Sequence, residues 1–315
     1  MTSILVLAEH DRGVLASATL EAVTAACSLV ATSPCWSVAI TTSPAELGDH
    51  GATTVYVADH ELLADFGPEA WAQALALAIH EFEPDVVIAP GTSKGNEVMA
   101  GAAARLDLPF VANCTTIEDD AATMIRVQWG GSLLEEASLD ADIKLVSIAH
   151  HSIEASVVGG EASSERFDVD LDGAVRRTIV VDREVAETGV TLATAPVVVG
   201  GGRGVGSPDA FAPLEALAAA LGGRVGCSRA VTNNGWRPHA DQVGQTGTRI
   251  APEIYIASGI SGAIQHWVGA MASKTILAIN TDPEANMVTK ADYAVIGDLH
   301  TVIPAITAEI ERRRS

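Results

Sequence analysis

Glycines and polar residues follow a short apolar run in the last third of the chain. Residues 254–257 are apolar, Gly259–Gly262 come next, and Gln265 and His266 lie in a segment whose apolar residues have helical spacing. Glycine lets the backbone turn sharply and approach a ligand closely, and Ser261 is suited to cap the helix. Because the first free amides of a helix attract anions, this stretch predicts a phosphate or pyrophosphate site.

A βαβ unit that binds nothing needs the same kind of turn, so the turn alone leaves both interpretations open. A second polar loop, residues 243–247, precedes the strand in the sequence. Polar side chains from this loop and from the first turn of the helix can meet at the carboxyl end of the strand. That combination favours the ligand site.

Three other glycine-bearing segments were compared with nucleotide-binding motifs. Residues 200–206 follow a predicted strand, yet no glycine triplet there satisfies G-x-G-x-x-G. Residues 269–275 have a P-loop-like composition but lead from a helix into a strand, the reverse of what phosphate binding requires. The loop 91–95 contains Lys94, but its spacing fits neither motif, and we favour a loop without a ligand.

Strands and helices alternate along most of the chain, which predicts parallel sheets covered by helices. The alternation includes predicted strands at 3–9, 36–42, 53–58 and 85–90, and helices at 17–30, 68–82 and 96–106. Two β-rich segments, 124–129 and 143–149, follow, and the charged stretch 159–189 resembles a solvated connection. We therefore predict an α/β protein with two domains, residues 1–189 and 190–315, the second of them Rossmann-like.

Composition narrows the possible partners. A formal net charge of −21 excludes binding to nucleic acid and disfavours an anionic membrane surface. No apolar run is long enough for a membrane span. The four cysteines form no C-x-x-C pair, which is typical of reduced thiols, so we expect a cytoplasmic protein.

The run YIASGISGAIQHWVGAMASKTILAIN, residues 255–280, resembles the signature of the α subunit of electron transfer flavoproteins. Four further segments follow the order and approximate spacing of that family: GGGRG at 200–204, CSRAV at 227–231, QVGQTG at 242–247 and DPEA at 282–285. The likeness is close in the second predicted domain and looser in the first.

This resemblance implies an electron carrier without substrate turnover of its own, with FAD in the C-terminal domain. It also implies a heterodimer with a β subunit that carries AMP or, in bifurcating members, a second FAD. Electrons would come from flavoprotein dehydrogenases such as the acyl-CoA dehydrogenases of fatty acid oxidation, and would pass to a membrane quinone reductase. The alternatives are a subunit of a bifurcating complex that uses NADH, a nicotinamide-dependent dehydrogenase, and a nucleotide-binding module with no redox role.

The resemblance also assigns residues to parts of the cofactor. Arg229 would lie against the isoalloxazine ring and favour negative charge at its N1–C2=O edge. Thr246 would lie beside N5, and His266 near O2 as a neutral donor, because its position near the helix amino end disfavours a positive charge. The remaining candidates are Arg203 at the pyrophosphate, Ser228 beside Arg229, Val243, Gly244 and Gln245 at the ribityl chain, Ser261, Gly262, Ala263, Ile264 and Gln265 at the phosphates, and Asn280, Asp298 and Leu299 at the adenosine.

The middle region departs from the family pattern. Ala149 and His150 stand where an arginine–glycine pair is common, and Ser132 stands where asparagine is expected. Since this part of the family's α subunit faces the β subunit, the departure concerns that interface. His150 and His151 are adjacent, so on a strand their side chains point to opposite faces, and we expect a surface or interface role and no metal pair.

Overall fold

The structure is a computed structural model of the chain, and it describes residues 2–11, 13–29, 35–39, 44–118, 121–131, 133–182 and 190–314. It divides into two compact units, Met1–Val185 and Ala186–Ser315. The predicted boundary between residues 189 and 190 falls at the end of segment 183–189, which lies outside the described residues, as does Ser132. Both units have the α/β architecture that the sequence predicts.

The first unit is built on a nine-stranded sheet with the order β11-β5-β4-β1-β6-β10-β7-β8-β9. Its strands in the described residues are β1 (Ile4–Ala8), the short hairpin β2 (His10–Asp11) and β3 (Val14–Leu15), β4 (Cys35–Ala39), β5 (Thr54–Ala58), β6 (Val86–Gly91), β7 (Phe110–Ile117), β8 (Thr123–Gln128), β9 (Leu133–Ser138), β10 (Lys144–Ala149) and β11 (Ser163–Phe167). The helices are α1 (Ser17–Leu29), α2 (Pro44–Asp49), α3 (Pro68–Phe82) and α4 (Ser93–Leu106).

The central strands are apolar on both faces because helices cover both. Along β1, Ile4 and Val6 pack into the core that contains α1, whereas Leu5 and Leu7 pack into the core that contains α3. Such two-sided burial is typical of parallel strands. Pairing within the sheet is parallel except at one edge, where β8 runs antiparallel to both β7 and β9.

Two predicted elements of this unit differ from the structure. Helix α4 begins at Ser93, three residues before the predicted start, because the Thr92 hydroxyl caps it by accepting a hydrogen bond from the Gly95 amide (2.9 Å). The stretch 159–189, predicted to be a connection, contains strand β11, which pairs in parallel with β5. Strand β11 lies at the sheet edge and is exposed along most of its length, so its sequence shows no apolar alternation.

The second unit is a parallel five-stranded sheet with the order β13-β12-β14-β15-β16. Its strands are β12 (Val197–Gly201), β13 (Arg224–Cys227), β14 (Ile254–Ser258), β15 (Ile276–Asn280) and β16 (Tyr293–Ile296). Its helices are α5 (Ala212–Ala220), α6 (Arg229–Asn233), α7 (Ile264–Ala270), α8 (Asn286–Lys290) and α9 (Leu299–Arg314). The order reverses between β12 and β14, and open α/β sheets bind ligands at the carboxyl ends of strands beside such a switch point.

Each face of this sheet has its own core. Phe211 and Leu214 pack with Ile303 of α9 on one face, and Tyr255 and Met287 belong to the core on the other. Among the described residues, none of the helices combines the length and the apolar character that crossing a membrane requires.

Candidate functional site

Glycines line the switch point between β12 and β14. The Gly202 amide donates to the carbonyl of Ser258 (2.9 Å), and the Gly204 amide donates to the carbonyl of Gly259 (3.1 Å). A Cβ atom on Gly202 would lie 2.1 Å from the Gly259 oxygen, so no larger residue fits without movement of the backbone. Gly259 has a φ of 63°, in the left-handed region that favours glycine. The two turns thus form a floor with few side chains.

Residues 242–248, which contain the polar loop 243–247, are hydrogen-bonded to helix α7. The Gln245 amide donates to the carbonyl of Gln265 (2.7 Å). Gly244 approaches Gly269 so closely that a Cβ atom on Gly269 would lie 2.3 Å from the Gly244 Cα. Val243 and Gly244 are buried, while the side chains of Gln245 and Thr246 are exposed and available to a ligand.

A buried glutamine that the sequence analysis did not single out holds Thr246. The amide nitrogen of Gln242 donates to the Thr246 hydroxyl (2.9 Å), and its amide oxygen accepts from the Thr232 hydroxyl of α6 (2.7 Å). Gln242 is 2% exposed. A buried side-chain amide needs hydrogen-bond partners for both its nitrogen and its oxygen. The glutamine in this tight glycine-bearing loop is therefore the sequence signal that could have identified Gln242.

Tyr255 and His266 form a buried pair beneath the loop. The Tyr255 hydroxyl lies 2.8 Å from Nε2 of His266, and both side chains are buried. Burial lowers the pKa of His266 to about 4, and the backbone of Val243 opposes only part of this shift. The lowered pKa agrees with the neutral state predicted for His266. Its main cause is burial, whereas the prediction from the sequence rested on the helix dipole.

The tautomer of His266 follows from its partner. Burial raises the pKa of Tyr255, so its hydroxyl keeps its proton and can donate it to Nε2. With Tyr255 as the donor, the ring proton sits on Nδ1, which is buried, and the backbone of Val243 forms a hydrogen bond with the ring. The arrangement leaves a neutral N–H donor in the site.

The turn before α7 differs from the prediction. Ser261 is not the helix cap, because α7 begins at Ile264 with Ala263 at the N-cap and no side-chain hydrogen bond there. Gly262, with a φ of 77°, takes the chain through a left-handed turn between Ser261 and the helix, and the Ser261 carbonyl accepts from the Met287 amide (3.2 Å). The backbone amides of residues 263–265 donate to no acceptor in the described part of the chain.

Two arginines add positive charge at the ends of β12 and β13. Arg203 opens a short 3-10 turn after β12, and Arg229 is the first residue of α6, directly after Ser228. Both side chains are exposed, and neither forms an ion pair within the described residues. Ser228, between β13 and Arg229, donates its amide to the Gly201 carbonyl (3.0 Å). In a chain this acidic, two unpaired guanidinium groups at one sheet edge favour an anionic ligand.

The three candidates for the adenosine end have partners within the chain. The Asn280 side chain donates to the Ile260 carbonyl (3.0 Å) and accepts from the Asp282 amide (3.1 Å). Asp298 caps α9 by accepting from the His300 amide (3.0 Å). Leu299 is buried against Gly259. These residues shape the turns after β14 and β15, and their contact with a nucleoside stays a prediction.

The loop 91–95 of the first unit, the other candidate for an anion site, packs against residues of the chain itself. The Thr92 hydroxyl donates to a carboxylate oxygen of Glu9, a residue that is 8% exposed. A Cβ atom on Gly95 would lie 2.1 Å from the Pro90 carbonyl oxygen, so close packing accounts for that glycine. A carboxylate therefore already occupies the anion position at the start of α4.

The edge of the second sheet fits a large anionic cofactor. Its floor is glycine, its two arginines are unpaired among the described residues, and Ser258 Oγ is a buried polar atom without a described hydrogen-bond partner. The family model of the electron transfer flavoprotein domain matches residues 4–172, and that of the electron transfer flavoprotein FAD-binding domain matches residues 191–271.

The chain belongs to the electron transfer flavoprotein family. Its cofactor is FAD, and the FAD-binding domain of the family corresponds to the second unit. Family membership is consistent with the α/β fold of both units and with the glycine-lined edge of the second sheet.

Relatives of this family match most or all of the chain. The electron transfer flavoprotein subunit alpha of Mycobacterium leprae is 35% identical over 323 residues, which covers 100% of both chains. The protein of the same name from Thermoanaerobacterium thermosaccharolyticum is 35% identical over 85% of this chain and 83% of its own. A probable mitochondrial electron transfer flavoprotein subunit alpha of Caenorhabditis elegans is 35% identical over 98% of this chain and 94% of its own.

Proposed function

We propose that this chain is the FAD-carrying α subunit of a heterodimeric electron carrier and turns over no substrate of its own. The observation that carries the proposal is the hydrogen-bonded contact between loop 242–248 and α7 at the carboxyl edge of the second sheet. This contact brings Thr246, held by Gln242, together with the helix that contains the neutral donor His266. Bound FAD supplies reversible electron uptake at its isoalloxazine ring.

The glycine floor and the exposed amides bind the phosphate part of the cofactor. Gly202 and Gly259 let two turns pack backbone to backbone at the sheet edge, and the adjacent Arg203 supplies a charge-assisted hydrogen bond to the pyrophosphate. The amides of residues 263–265 add donors at the start of α7. These groups bind and orient the cofactor.

A second set of residues tunes the ring. Arg229 provides a fixed positive charge, which favours negative charge on the ring during reduction. Thr246 presents a hydroxyl whose position is set by Gln242, next to the ring nitrogen that exchanges a proton. His266 adds a neutral N–H, and because it is buried it donates without bringing a full charge into the site.

The first unit serves as scaffold and as the surface for a β subunit that carries AMP or a second FAD. Flavoprotein dehydrogenases, among them acyl-CoA dehydrogenases, deliver electrons, and a membrane quinone reductase receives them. The family resemblance and the name "subunit alpha" of its relatives support this assignment. A subunit of an NADH-dependent bifurcating complex is the alternative within the family.

The test is a gentle purification of the chain from its own cells with any chain that accompanies it. We expect a yellow complex with one partner of similar size, which takes up electrons from a flavoprotein dehydrogenase and does not oxidise NADH. One flavin for each heterodimer indicates an AMP-carrying partner, and two flavins indicate a bifurcating complex. A colourless protein that takes up no added FAD contradicts the proposal.

A further inference from the structure

Three side chains of the first unit form a cluster of potential metal ligands. Glu21 lies on helix α1, and His150 and His151 directly follow strand β10. Each side chain offers one ligand atom, and the three atoms lie within 4.8 Å of one another. The flavin site is built from residues of the second unit, so this cluster has no part in it.

The backbone after β10 places both imidazoles together. Strand β10 ends at Ala149, and His151 has a φ of 62°, in the left-handed region. The two rings consequently stack, with centroids 3.6 Å apart and an interplanar angle of 23°. The prediction that His150 and His151 point to opposite faces is wrong, because the alternation of side chains holds within a strand and the strand has already ended.

The carboxylate of Glu21 is buried beside these rings. Its Oε2 accepts from the His151 amide (2.8 Å), and its Oε1 lies 3.4 Å from His151 Nδ1 and 3.6 Å from His150 Nε2. The Glu21 side chain is 8% exposed, and within the described residues its ion-pair partners are both histidines, with no lysine or arginine. A buried carboxylate is costly unless a cation balances it, and a divalent metal ion held by this carboxylate and the two imidazoles would supply that charge.

We propose that Glu21, His150 and His151 bind a divalent cation of the zinc type. Tetrahedral zinc has bonds of about 2.0–2.1 Å, which places its ligand atoms roughly 3.3 Å apart, close to the two carboxylate–imidazole distances here. Two imidazole nitrogens and one carboxylate oxygen are typical zinc ligands, whereas magnesium and calcium prefer oxygen alone. The three ligand atoms lie within 4.8 Å of one another, so zinc binding requires the two imidazole nitrogens to turn toward one ion. The fourth position stays open to water or to a group from a partner.

The test uses the untagged full chain in its FAD-bound form, stripped with a chelator and then dialysed against Zn²⁺. Elemental analysis should find one zinc per chain, and zinc X-ray absorption should show two imidazole ligands. The double variant His150→Gln/His151→Gln should lose this zinc, and Glu21→Gln should bind it at least about tenfold more weakly. His300→Gln, which removes an exposed histidine of the second unit, is the matched control and should keep it.

Zinc should also raise the melting temperature of the wild-type chain and leave that of the double variant unchanged, because a ligand of the folded state stabilises it. Equal zinc content in the wild type and the double variant would overturn the proposal, since the metal would then lie elsewhere. A zinc X-ray absorption spectrum of the wild-type protein that shows no imidazole ligands would also overturn the proposal. That spectrum needs no variant, and it decides the question even if the double variant fails to fold.

Discussion

The Tyr255 hydroxyl lies 2.8 Å from Nε2 of His266, and we expect this buried contact to set which nitrogen of His266 carries the proton. Tyr255 belongs to the central strand β14 and His266 to the first turn of α7, so the contact also ties the helix to the sheet. A residue of the hydrophobic core thereby positions a residue of the predicted flavin site.

Tyr255→Phe removes the hydroxyl with little change of volume and leaves Nε2 of His266 buried without a partner. We expect a loss of about 1–3 kcal/mol in the free energy of unfolding, measured by urea denaturation. The ¹⁵N chemical shifts of the His266 ring should move, because the tautomer is no longer fixed. Tyr293→Phe, on the exposed edge strand of the same sheet, is the control. Unchanged ring shifts in the Tyr255 variant would mean that the hydroxyl does not set the tautomer.

The buried His266 should make stability depend on pH. Its pKa is about 4 in the folded chain and 6.5 as the ordinary value, so between these pH values the unfolded chain binds a proton that the folded chain does not. The free energy of unfolding should therefore fall as the pH falls from 6.5 to 4, by up to about 3 kcal/mol. Urea denaturation across this range, compared with His266→Gln, isolates the contribution. Equal slopes for the two proteins would contradict it.

Gln242→Leu tests the positioning of Thr246. The substitution removes the hydrogen bonds of Gln242 to Thr246 and to Thr232. We expect the dissociation constant for FAD to rise about tenfold, equivalent to about 1.4 kcal/mol. Thr232→Val removes only the outer hydrogen bond and should have a smaller effect. Titration of the apoprotein with FAD, followed by flavin fluorescence, measures both. If Gln242→Leu binds FAD as tightly as the wild type, the hydrogen bonds of Gln242 do not position the loop for the cofactor.

Gly202→Ala places a methyl group against the backbone of Gly259. We expect about 1–3 kcal/mol of destabilisation and a loss of FAD affinity, because the two glycine turns must separate. Gly173→Ala, where nothing lies within 4 Å of the added carbon, should change neither quantity. Thermal unfolding and FAD titration are the measurements. A Gly202 variant with unaltered affinity would show that the floor tolerates a side chain.

Arg229→Ala should make the flavin harder to reduce. Removing a fixed positive charge beside the ring disfavours the reduced state, and a loss of about 1.4 kcal/mol corresponds to a fall of about 60 mV for one electron. Arg224→Ala removes the same charge at the opposite end of strand β13 and serves as the control. Potentiometric titration gives the potentials, and an unchanged first potential would remove Arg229 from this role.

Local sequence signals predicted the alternating strands and helices of the α/β fold and the polar and glycine-bearing loops of the second unit. The glycines of the turns after β12 and β14 could be recognised in the sequence as turn residues. Two backbones can approach closely there because glycine has no side chain. Helix α3 was predicted with its observed bounds, since proline at its start and its apolar spacing are local features.

Local sequence signals could not predict which side chains on different elements form hydrogen bonds with one another. Gln242 acquires its role from Thr232 on α6, and Tyr255 from a histidine on another element. Strand β11 lacks an apolar pattern because it lies at an exposed edge and is defined by its pairing with β5. The stacking of His150 and His151 depends on the left-handed backbone of His151, which the residue types do not indicate.

Hydrogen–deuterium exchange of the apoprotein with and without FAD locates the bound cofactor along the chain. We expect slower exchange on FAD binding in three segments, the glycine turn 202–206, the loop 243–248 and the start of α7 at 263–266, where amides lie at the carboxyl edge of the second sheet. Protection confined to loops of the first unit, with these three segments unchanged, would contradict this expectation.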